Sequence, residues 1–302
     1  MYDVLVLLAT YNGEKYLKEQ LDSIFNQVGV NVKVLVRDDG STDSTISILE
    51  EYHNKYNLEY IKGNNVGAFQ NFMKLIELAD EYEYYAYSDQ DDIWLKEKLI
   101  QAMNNIYKSS NIPSLYFSKS TAVDNNLNQL TDCNHANYED ADSFAMASIR
   151  NICQGSTCVF NNELMKLLKK TPLDYQVEHD WWTFLVCLSV GGRVYADNNS
   201  YMLYRQHENN VLGAGSSFSS RLKRRGKLLI SKRTHGRQKM CEIILNTYND
   251  RLTNEARSVL TEIVNYRRSI LNMFNLLFDK RFYRGEFQYS VSFFTAVLTR
   301  II

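Results

Sequence analysis

Residues 4–36 read VLVLLATYNGEKYLKEQLDSIFNQVGVNVKVLV, and this stretch decides the fold class. The apolar run Val4–Leu8 is followed by a turn-like Asn12-Gly13 and then by Glu14–Gln27, whose apolar residues recur at helical spacing. A second apolar run, Val32–Val36, ends the unit. Strand, amphipathic helix and strand in succession are typical of a parallel βαβ unit, because parallel strands need a long crossover connection. We therefore expect an α/β protein with a doubly wound, mostly parallel sheet.

The same alternation continues through the first 120 residues. Strands are predicted at Leu58–Ile61 and Tyr84–Tyr87, and helices at Ser44–Tyr56 and Ala68–Leu78. Ligands of an open parallel sheet bind beyond the carboxyl ends of its strands. The loops at those positions are polar, so we expect them to converge on one crevice; they comprise residues 10–13, 37–43 and 88–92.

The pattern is weaker after Lys119. A polar loop is predicted over Asp124–Asp142, a strand over Thr157–Phe160 and a helix over Trp181–Ser189. The segmentation predicts one domain in residues 1–215, with halves 1–120 and 121–215, followed by a basic, mainly helical C-terminal region in residues 216–302.

Composition excludes several classes of protein. The chain holds 34 Lys and Arg against 35 Asp and Glu, a formal net charge of -1, so a globally basic nucleic-acid coat is excluded and no nucleic-acid partner is expected. Its five cysteines form no CxxC pair, which favours reduced thiols over a zinc or disulfide framework. Because no leader pattern opens the chain, we expect a cytoplasmic protein.

The loop Asp89-Gln90-Asp91-Asp92 follows a strand and precedes a helix. Closely spaced carboxylates repel one another unless a cation neutralises them, and carboxylates without His or Cys favour the hard ions Mg²⁺ or Mn²⁺. These ions commonly bind a substrate diphosphate at the same time. The alternative is that the acids cap the following helix, although one cap needs only one side chain.

A second acidic loop, residues 38–43, also ends a strand. Asp43 is suited to cap the next helix, which leaves Asp39 as a spare carboxylate. A carboxylate can accept a hydrogen bond from the imide N–H of uracil or thymine, so Asp39 is a candidate for selecting a pyrimidine nucleotide.

At these loops the chain resembles the inverting glycosyltransferases of family 2, which have a GT-A fold. The resemblance spans roughly residues 1–215 and is strongest to bacterial rhamnosyltransferases of cell-wall and capsular polysaccharide synthesis. Each matching stretch is short, but their order and spacing make the set specific: LATYNG (8–13), RDDGSTD (37–43), NVG (65–67), SDQDDIW (88–94), QGST (154–157), HDWW (179–182) and YRQHENNVLG (204–213).

The resemblance implies roles for individual residues. Binding of the nucleoside-diphosphate sugar falls to Thr10, Tyr11, Asn12, Asp39, Asp89, Asp91 and Arg205, with Asp89, Asp91 and His207 as metal ligands. Asp180 is the implied catalytic base, which deprotonates the acceptor hydroxyl during an inverting attack. Many relatives carry Glu-Asp where this chain has His179-Asp180, and Asp180 could instead cap the helix that follows it.

The resemblance also implies an acceptor site, with Gly155, Trp181 and Trp182 as candidate contacts. Adjacent helical positions cannot face the same way, so one tryptophan is expected in the core. The implied reaction transfers L-rhamnose from dTDP-rhamnose to a glycan; a UDP-hexose or UDP-N-acetylhexosamine donor is the alternative within the fold. A non-catalytic nucleotide- or carbohydrate-binding scaffold is the alternative of another class.

The C-terminal region has a charge pattern of its own. Residues 209–241 contain no acid but nine Lys and Arg, and Phe287–Thr299 is uncharged and aromatic-rich. Such features favour peripheral binding to anionic membrane lipids, and with it a lipid-diphosphate-linked acceptor. The alternatives are a solvated basic helix, with the tail packed on its own domain or on a second subunit of a homo-oligomer.

Other nucleotide enzymes fit less well. The first loop has a single glycine, unlike nucleotidyltransferases, and neither a G-x-G-x-x-G nor a P-loop sequence occurs. A phosphatase with an aspartyl nucleophile would leave the Asp39 loop without a purpose.

Overall fold

The computed structural model describes residues 1–109, 111–130, 138–172, 178–206, 236–283 and 287–300. It divides the chain into two compact units. Unit one holds Met1–Ala136, Cys153–Cys187 and Gly192–His207, and unit two holds Asn137–Ile152, Leu188–Gly191 and Glu208–Ile302. Residues 137–152 thus group with the C-terminal region, whereas the predicted domains were continuous; the boundary at residue 215 stays a prediction.

Unit one is built on one mixed sheet of eight strands. Their bounds are β1 Tyr2–Thr10, β2 Val30–Asp38, β3 Leu58–Lys62, β4 Tyr84–Ser88, β5 Ile93–Trp94, β6 Ser114–Val123, β7 Val159–Asn161 and β8 Arg193–Arg205. The order across the sheet is β3-β2-β1-β4-β7-β6-β8-β5. The pairs β3-β2, β2-β1, β1-β4 and β6-β8 are parallel. Strand β7 is antiparallel to both of its neighbours, and β5 is antiparallel to β8. The predicted mostly parallel sheet is confirmed.

The central strand β1 is buried on both faces of the sheet. Consecutive residues Val4 to Leu8 are all 1 % exposed or less, although they alternate between faces. The helices that follow the strands cover the two faces of the sheet. A strand that is buried on both faces needs apolar residues at every position, which explains the continuous apolar run of β1. The helices of unit one are α1 Leu17–Phe25, α2 Thr45–Lys55, α3 Ala68–Leu78, α4 Lys98–Ile106, α6 Asn162–Leu168 and α7 His179–Ser189.

Helix α1 shows how the sequence places the first loop. Its predicted face is buried through Leu17, Leu21 and Ile24, all with no exposed surface. The helix begins at Leu17 rather than at Glu14, because the Gly13 carbonyl accepts from the amides of Tyr16 and Leu17. Residues 11–16 therefore form the loop at the carboxyl end of β1.

The two-residue strand β5 was not predicted, and neither were the longer strands β6 and β8. The sequences of β6 and β8 are rich in Ser, Asn and Tyr, and they pair with a register shift after Ser118 that breaks simple alternation. The predicted strand Thr157–Phe160 begins later, at Val159, because Gly155–Thr157 forms a single 3-10 turn.

Unit two is helical in its described part. Its helices are α5 Phe144–Ile149, α8 Gly236–Thr247, α9 Asn254–Asn265, α10 Ile270–Phe278 and α11 Phe287–Leu298. Helices α5, α9 and α10 begin with hydroxyl caps, since Ser143, Thr253 and Ser269 each accept from an amide three residues on. Among the described helices, none is both long and apolar enough to cross a membrane.

Candidate active site

Three polar loops meet at the carboxyl ends of β1, β2 and β4, as predicted. The amide of Asn12 donates to Ser41 Oγ at 2.8 Å, and Asn12 Oδ1 accepts from the Thr42 amide at 2.9 Å. The Gly13 amide donates to Thr45 Oγ1 at 2.8 Å. The loop after β1 is thereby joined to the loop after β2.

Gln90 joins the first loop to the acidic loop after β4. Its Oε1 accepts from the Thr10 hydroxyl at 2.6 Å and from the Tyr11 amide at 2.8 Å, while its Nε2 donates to the Tyr11 carbonyl at 3.1 Å. Thr10 is buried by this contact, whereas Tyr11 is 46 % exposed at the edge of the crevice. Gln90 had no predicted role. Its position between Asp89 and Asp91 was the one signal in the sequence that could have indicated a role in the site.

Asp39 lies at the end of β2 and is 2 % exposed. Its Oδ1 accepts from Arg37 Nη1 at 2.8 Å, and both its oxygens lie 3.0 Å from the Val66 amide. Its Oδ2 also accepts from the Gly67 amide at 2.8 Å. These bonds occupy most of the acceptor positions of a carboxylate, so a base N–H would have to share or replace one of them. Asp39 organises the 64–67 segment, and its contact with a pyrimidine stays a prediction.

The acidic loop after β4 contains three carboxylates of different character. Burial, followed by repulsion from Asp91 and Asp180, raises the pKa of Asp89 to about 7. Asp92 is 1 % exposed, its Oδ1 accepts from the Arg205 amide, and burial raises its pKa well above the usual range. Asp92 is therefore buried within the protein and has a structural role, while Asp89 and Asp91 remain at the crevice.

The donor set of this loop suits a hard divalent cation. Among the described residues, the charged groups that act most strongly on Asp89 are the carboxylates of Asp91 and Asp180, and both raise its pKa. Within the described ranges, no group of three or more His, Cys, Asp and Glu side chains forms a metal cluster. Asp89 and Asp91 fit an ion of the Mg²⁺ type, which takes one or two carboxylates and completes its shell with water and phosphate oxygens. The third predicted ligand, His207, lies outside the described residues.

Asp180 lies in the first turn of α7 and faces the loop before β7. Its Oδ2 accepts from the Gly155 amide at 3.1 Å, and its Oδ1 accepts from the Trp181 amide at 2.7 Å. Burial, followed by repulsion from Glu178, raises the pKa of Asp180 to about 7. The helix begins at His179, so Asp180 lies inside it and not at the position that the capping alternative requires.

His179 fixes the start of α7 from the apolar side. Its ring stacks on Phe72 with 3.8 Å between centroids and meets Tyr87 edge-on at 4.7 Å. Burial lowers the pKa of His179 to about 3, so the imidazole is neutral and packs like an aromatic residue. A Cβ on Gly155 would lie only 2.6 Å from His179 Nε2. Residue 155 must therefore be glycine for the loop to approach Asp180.

The two adjacent tryptophans have different environments. Trp182 has no exposed surface, and its Nε1 donates to Thr171 Oγ1 at 2.7 Å. This burial removes Trp182 from the predicted acceptor contacts. Trp181 is half-buried and points elsewhere from the same turn, so of the two tryptophans it alone stays a candidate acceptor contact, together with Gly155.

Arg205, at the end of β8, is 2 % exposed and already bound within the protein. Its guanidinium donates to Glu19 Oε2 at 2.6 Å, to the Asn125 carbonyl at 3.0 Å and to the Asp91 carbonyl at 3.1 Å. These bonds hold the backbone of the acidic loop. A direct contact with a diphosphate would require Arg205 to leave them, so the geometry favours a positioning role over the predicted one.

A cavity of about 720 Å³ opens at the opposite, amino ends of the strands. It is lined by Asp3, Asn31, Lys33, Glu81 and Glu83 among others, and none of the predicted site residues reaches it. Because parallel sheets bind ligands at their carboxyl ends, this cavity is not the candidate active site.

Sequence comparison identifies the family. The pattern described as "Glycosyl transferase family 2" matches residues 5–168, which is more than half of the chain. A relative from Shigella flexneri named dTDP-rhamnosyl transferase RfbG is 35% identical over 239 residues, covering 72% of this chain and 78% of its own.

Solved structures share the fold at low sequence identity. S. aureus TarS 1–349 in complex with UDP-GlcNAc aligns with 99% of this chain and 82% of its own, at a TM-score of 0.59 and 19% identity. The mannosyltransferase PcManGT from Pyrobaculum calidifontis, in complex with GDP-Man and Mn2+, aligns with 99% and 80% at a TM-score of 0.53 and 16% identity. These likenesses establish a GT-A glycosyltransferase fold. The chain therefore belongs to glycosyltransferase family 2.

Proposed function

We propose that this glycosyltransferase transfers L-rhamnose from dTDP-rhamnose, with inversion, to a hydroxyl of a lipid-diphosphate-linked glycan during synthesis of a bacterial surface polysaccharide. The observation that carries the donor assignment is the 35% identity to the Shigella flexneri rhamnosyl transferase over 72% of the chain. A match of 72% of the chain is longer than residues 1–120 and therefore extends beyond them.

A UDP-N-acetylhexosamine donor is the second candidate. A shorter stretch of 101 residues, 32% of the chain, is 38% identical to the Staphylococcus aureus poly(ribitol-phosphate) beta-N-acetylglucosaminyltransferase TarS. The longer match outweighs it, because sugar choice depends on pocket walls beyond the nucleotide loops.

The nucleoside half of the donor is assigned to the first two loops. Thr10, Tyr11 and Asn12 line one side of the crevice, and Asp39 with the 64–67 segment lines the other. Gln90 keeps these loops in register with the acidic loop through its three hydrogen bonds. The arrangement is preorganised, so little ordering is needed when the donor binds.

The diphosphate half is assigned to Asp89 and Asp91, which would hold Mg²⁺ or Mn²⁺. A bound divalent cation neutralises the charge that develops on the leaving diphosphate. A cation bound beside Asp89 would favour the ionised form of this carboxyl group, because an adjacent positive charge lowers a carboxyl pKa. Arg205 keeps the backbone of this loop in place through its bond to the Asp91 carbonyl.

Asp180 is assigned as the general base. Its pKa of about 7 lies near physiological pH, where a carboxylate is both sufficiently ionised and sufficiently basic to accept a proton. The amides of Gly155 and Trp181 orient its two oxygens. The acceptor hydroxyl gives its proton to Asp180 while its oxygen attacks the anomeric carbon from the side opposite the diphosphate. Trp181 would provide a surface for the acceptor sugar.

The test is a thermal-shift and calorimetric panel of dTDP, UDP, GDP and ADP, each with and without Mn²⁺, followed by donor hydrolysis with the matching sugars. We expect metal-dependent stabilisation by dTDP and turnover of dTDP-rhamnose. A preference for UDP and turnover of UDP-N-acetylhexosamine would select the second candidate. Binding without any hydrolysis or transfer would instead support a non-catalytic scaffold.

A further inference from the structure

Helix α10 exposes an apolar stripe in unit two. Ile270 and Leu271 are 65% and 69% exposed, and Phe274 and Phe278 are 45% and 69% exposed. Spacings of one, four and eight residues place these side chains on one side of the helix. The rings of Phe274 and Phe278 stack with 6.1 Å between centroids. Leu276, on the opposite side, and Leu277, at the edge of the stripe, are buried and hold the helix in place.

Helix α11 repeats this arrangement. Val291, Phe294 and Leu298 are exposed at spacings of three and seven residues, while Phe293 and Val297 are buried. The Phe293 ring stacks on Phe282 with 4.7 Å between centroids. Two adjacent helices thus each keep one apolar side inside the unit and leave a second apolar side without a partner among the described residues. Exposed apolar area of this extent is typical of a binding surface.

The charges around the two helices are mainly positive. Neither α10 nor α11 contains a charged residue, but basic residues flank them: Arg267, Arg268, Lys280 and Arg300. Arg281 also follows α10, but it pairs with Asp279 and Glu262 at 2.6 Å. Residues 209–302 hold 17 Lys and Arg against six Asp and Glu, a net charge of +11. Residues 1–208 hold 17 against 29, a net charge of -12. The charges of the near-neutral chain are therefore unevenly distributed along the sequence. The exposed apolar side chains of α10 and α11 belong to residues 209–302, which carry the net positive charge.

We propose that α10 and α11 dock on the surface of an anionic phospholipid bilayer. The seven exposed side chains insert at the boundary between headgroups and acyl chains, and the flanking basic residues contact the headgroups. With nine and 12 residues, both helices are too short to span a bilayer, and such helices lie in its interface. Lys and Arg near the surface attract anionic lipids additively.

Charge decides between a bilayer and a second copy of the chain. A two-fold dimer would bring the same patch against itself, so each positive surface would face another positive surface. An anionic bilayer instead offers the opposite charge beside an apolar phase. Docking on a bilayer does not depend on the proposed reaction, although a lipid-linked acceptor would be presented at the same bilayer surface.

The test is flotation of the full chain with vesicles, without donor or metal, so that a failure of the proposed reaction does not affect the result. We expect flotation with vesicles of about 30% phosphatidylglycerol in phosphatidylcholine, little with phosphatidylcholine alone, and weaker binding at 0.5 M salt. The double variant Leu271→Gln, Phe278→Gln should bind at least about tenfold more weakly, since each change removes an apolar group that enters the interface.

A matched control is Leu78→Gln, because Leu78 is 44% exposed on α3 in unit one and should not affect flotation. Circular dichroism and sedimentation accompany both variants, and the wild-type preference for anionic over neutral vesicles is decisive even if the double variant fails to fold. Absence of flotation with anionic vesicles, or equal flotation of double variant and control, would overturn the proposal. The proposal would also be overturned if the wild-type chain were a dimer, the double variant were a monomer and the two floated equally.

Discussion

Replacing Gly155 by alanine should slow sugar transfer about a hundredfold while donor binding is retained. A Cβ at this position would lie 2.6 Å from His179 Nε2, 3.1 Å from His179 Cε1 and 3.4 Å from Asp180 Cβ. Ordinary carbon contacts begin near about 3.5 Å, so a displacement of roughly 0.9 Å is required. His179 cannot provide it alone, because Phe72 and Tyr87 pack against its ring.

The displacement is therefore expected to move the first turn of α7, which carries Asp180. The Gly155 amide that orients Asp180 Oδ2 would move with it. A misplacement of about 1 Å in a catalytic group costs on the order of 10² in rate, whereas binding of the nucleotide depends on loops that Gly155 does not contact. The signature is a loss in kcat with an unchanged donor Kd.

The assay combines initial rates of transfer with calorimetric titration of the nucleoside diphosphate, and two further alanine variants act as controls. Gly13→Ala would place a Cβ 2.5 Å from Gln90 Oε1 and 2.8 Å from Thr10 Oγ1, so it should weaken donor binding instead. Gly236→Ala meets no atom within 4 Å and should change neither quantity. Turnover of Gly155→Ala within about twofold of wild type, or a loss confined to donor affinity, would refute the reasoning.

Three further predictions concern titration and stability. Asp180→Asn should reduce transfer by about 10²–10⁴-fold with donor binding retained. In the wild type, kcat/KM should fall as pH drops below about 7, because Asp180 must be ionised to act as base. A flat pH profile of kcat/KM from pH 5.5 to 8 would contradict the assignment. Gln90→Ala should weaken dTDP binding and lower the melting temperature, since three bonds between two loops are lost, and calorimetry with thermal unfolding checks both. Burial lowers the pKa of Lys98 to about 7, so between that pH and 10.5 the unfolded chain holds a proton that the native protein lacks. Lys98→Met should therefore stabilise the protein by about 2–4 kcal/mol at pH 7, an advantage that shrinks as pH rises toward 10.5 in urea titrations; a gain independent of pH would show that Lys98 is not the cause.

The local periodicity of apolar residues was sufficient to predict strands β1 to β4 and helices α1 to α3, which are connected by the loops assigned to the nucleotide. Strand β1 and helix α3 were predicted from apolar spacing alone, and Ala68–Leu78 has the predicted bounds. Buried parallel strands form continuous apolar runs, and the helices between them are amphipathic, so both signals are contained in short windows. By contrast, β6 and β8 pair 79 residues apart, as at Ser114 and Arg193, and each strand is too polar to be recognised by itself.

The sequence by itself determined the fold class, the family and the set of polar loops, because these depend on residue types at short spacing. Only the tertiary structure decided which groups act together. It placed Gln90 between two loops, engaged Arg205 with Glu19 and buried Trp182, and it divided the helices of the C-terminal region into buried and exposed apolar sides. Burial and hydrogen-bond partners are set by residues distant in the chain, and these partners determine whether a polar side chain is available to a ligand.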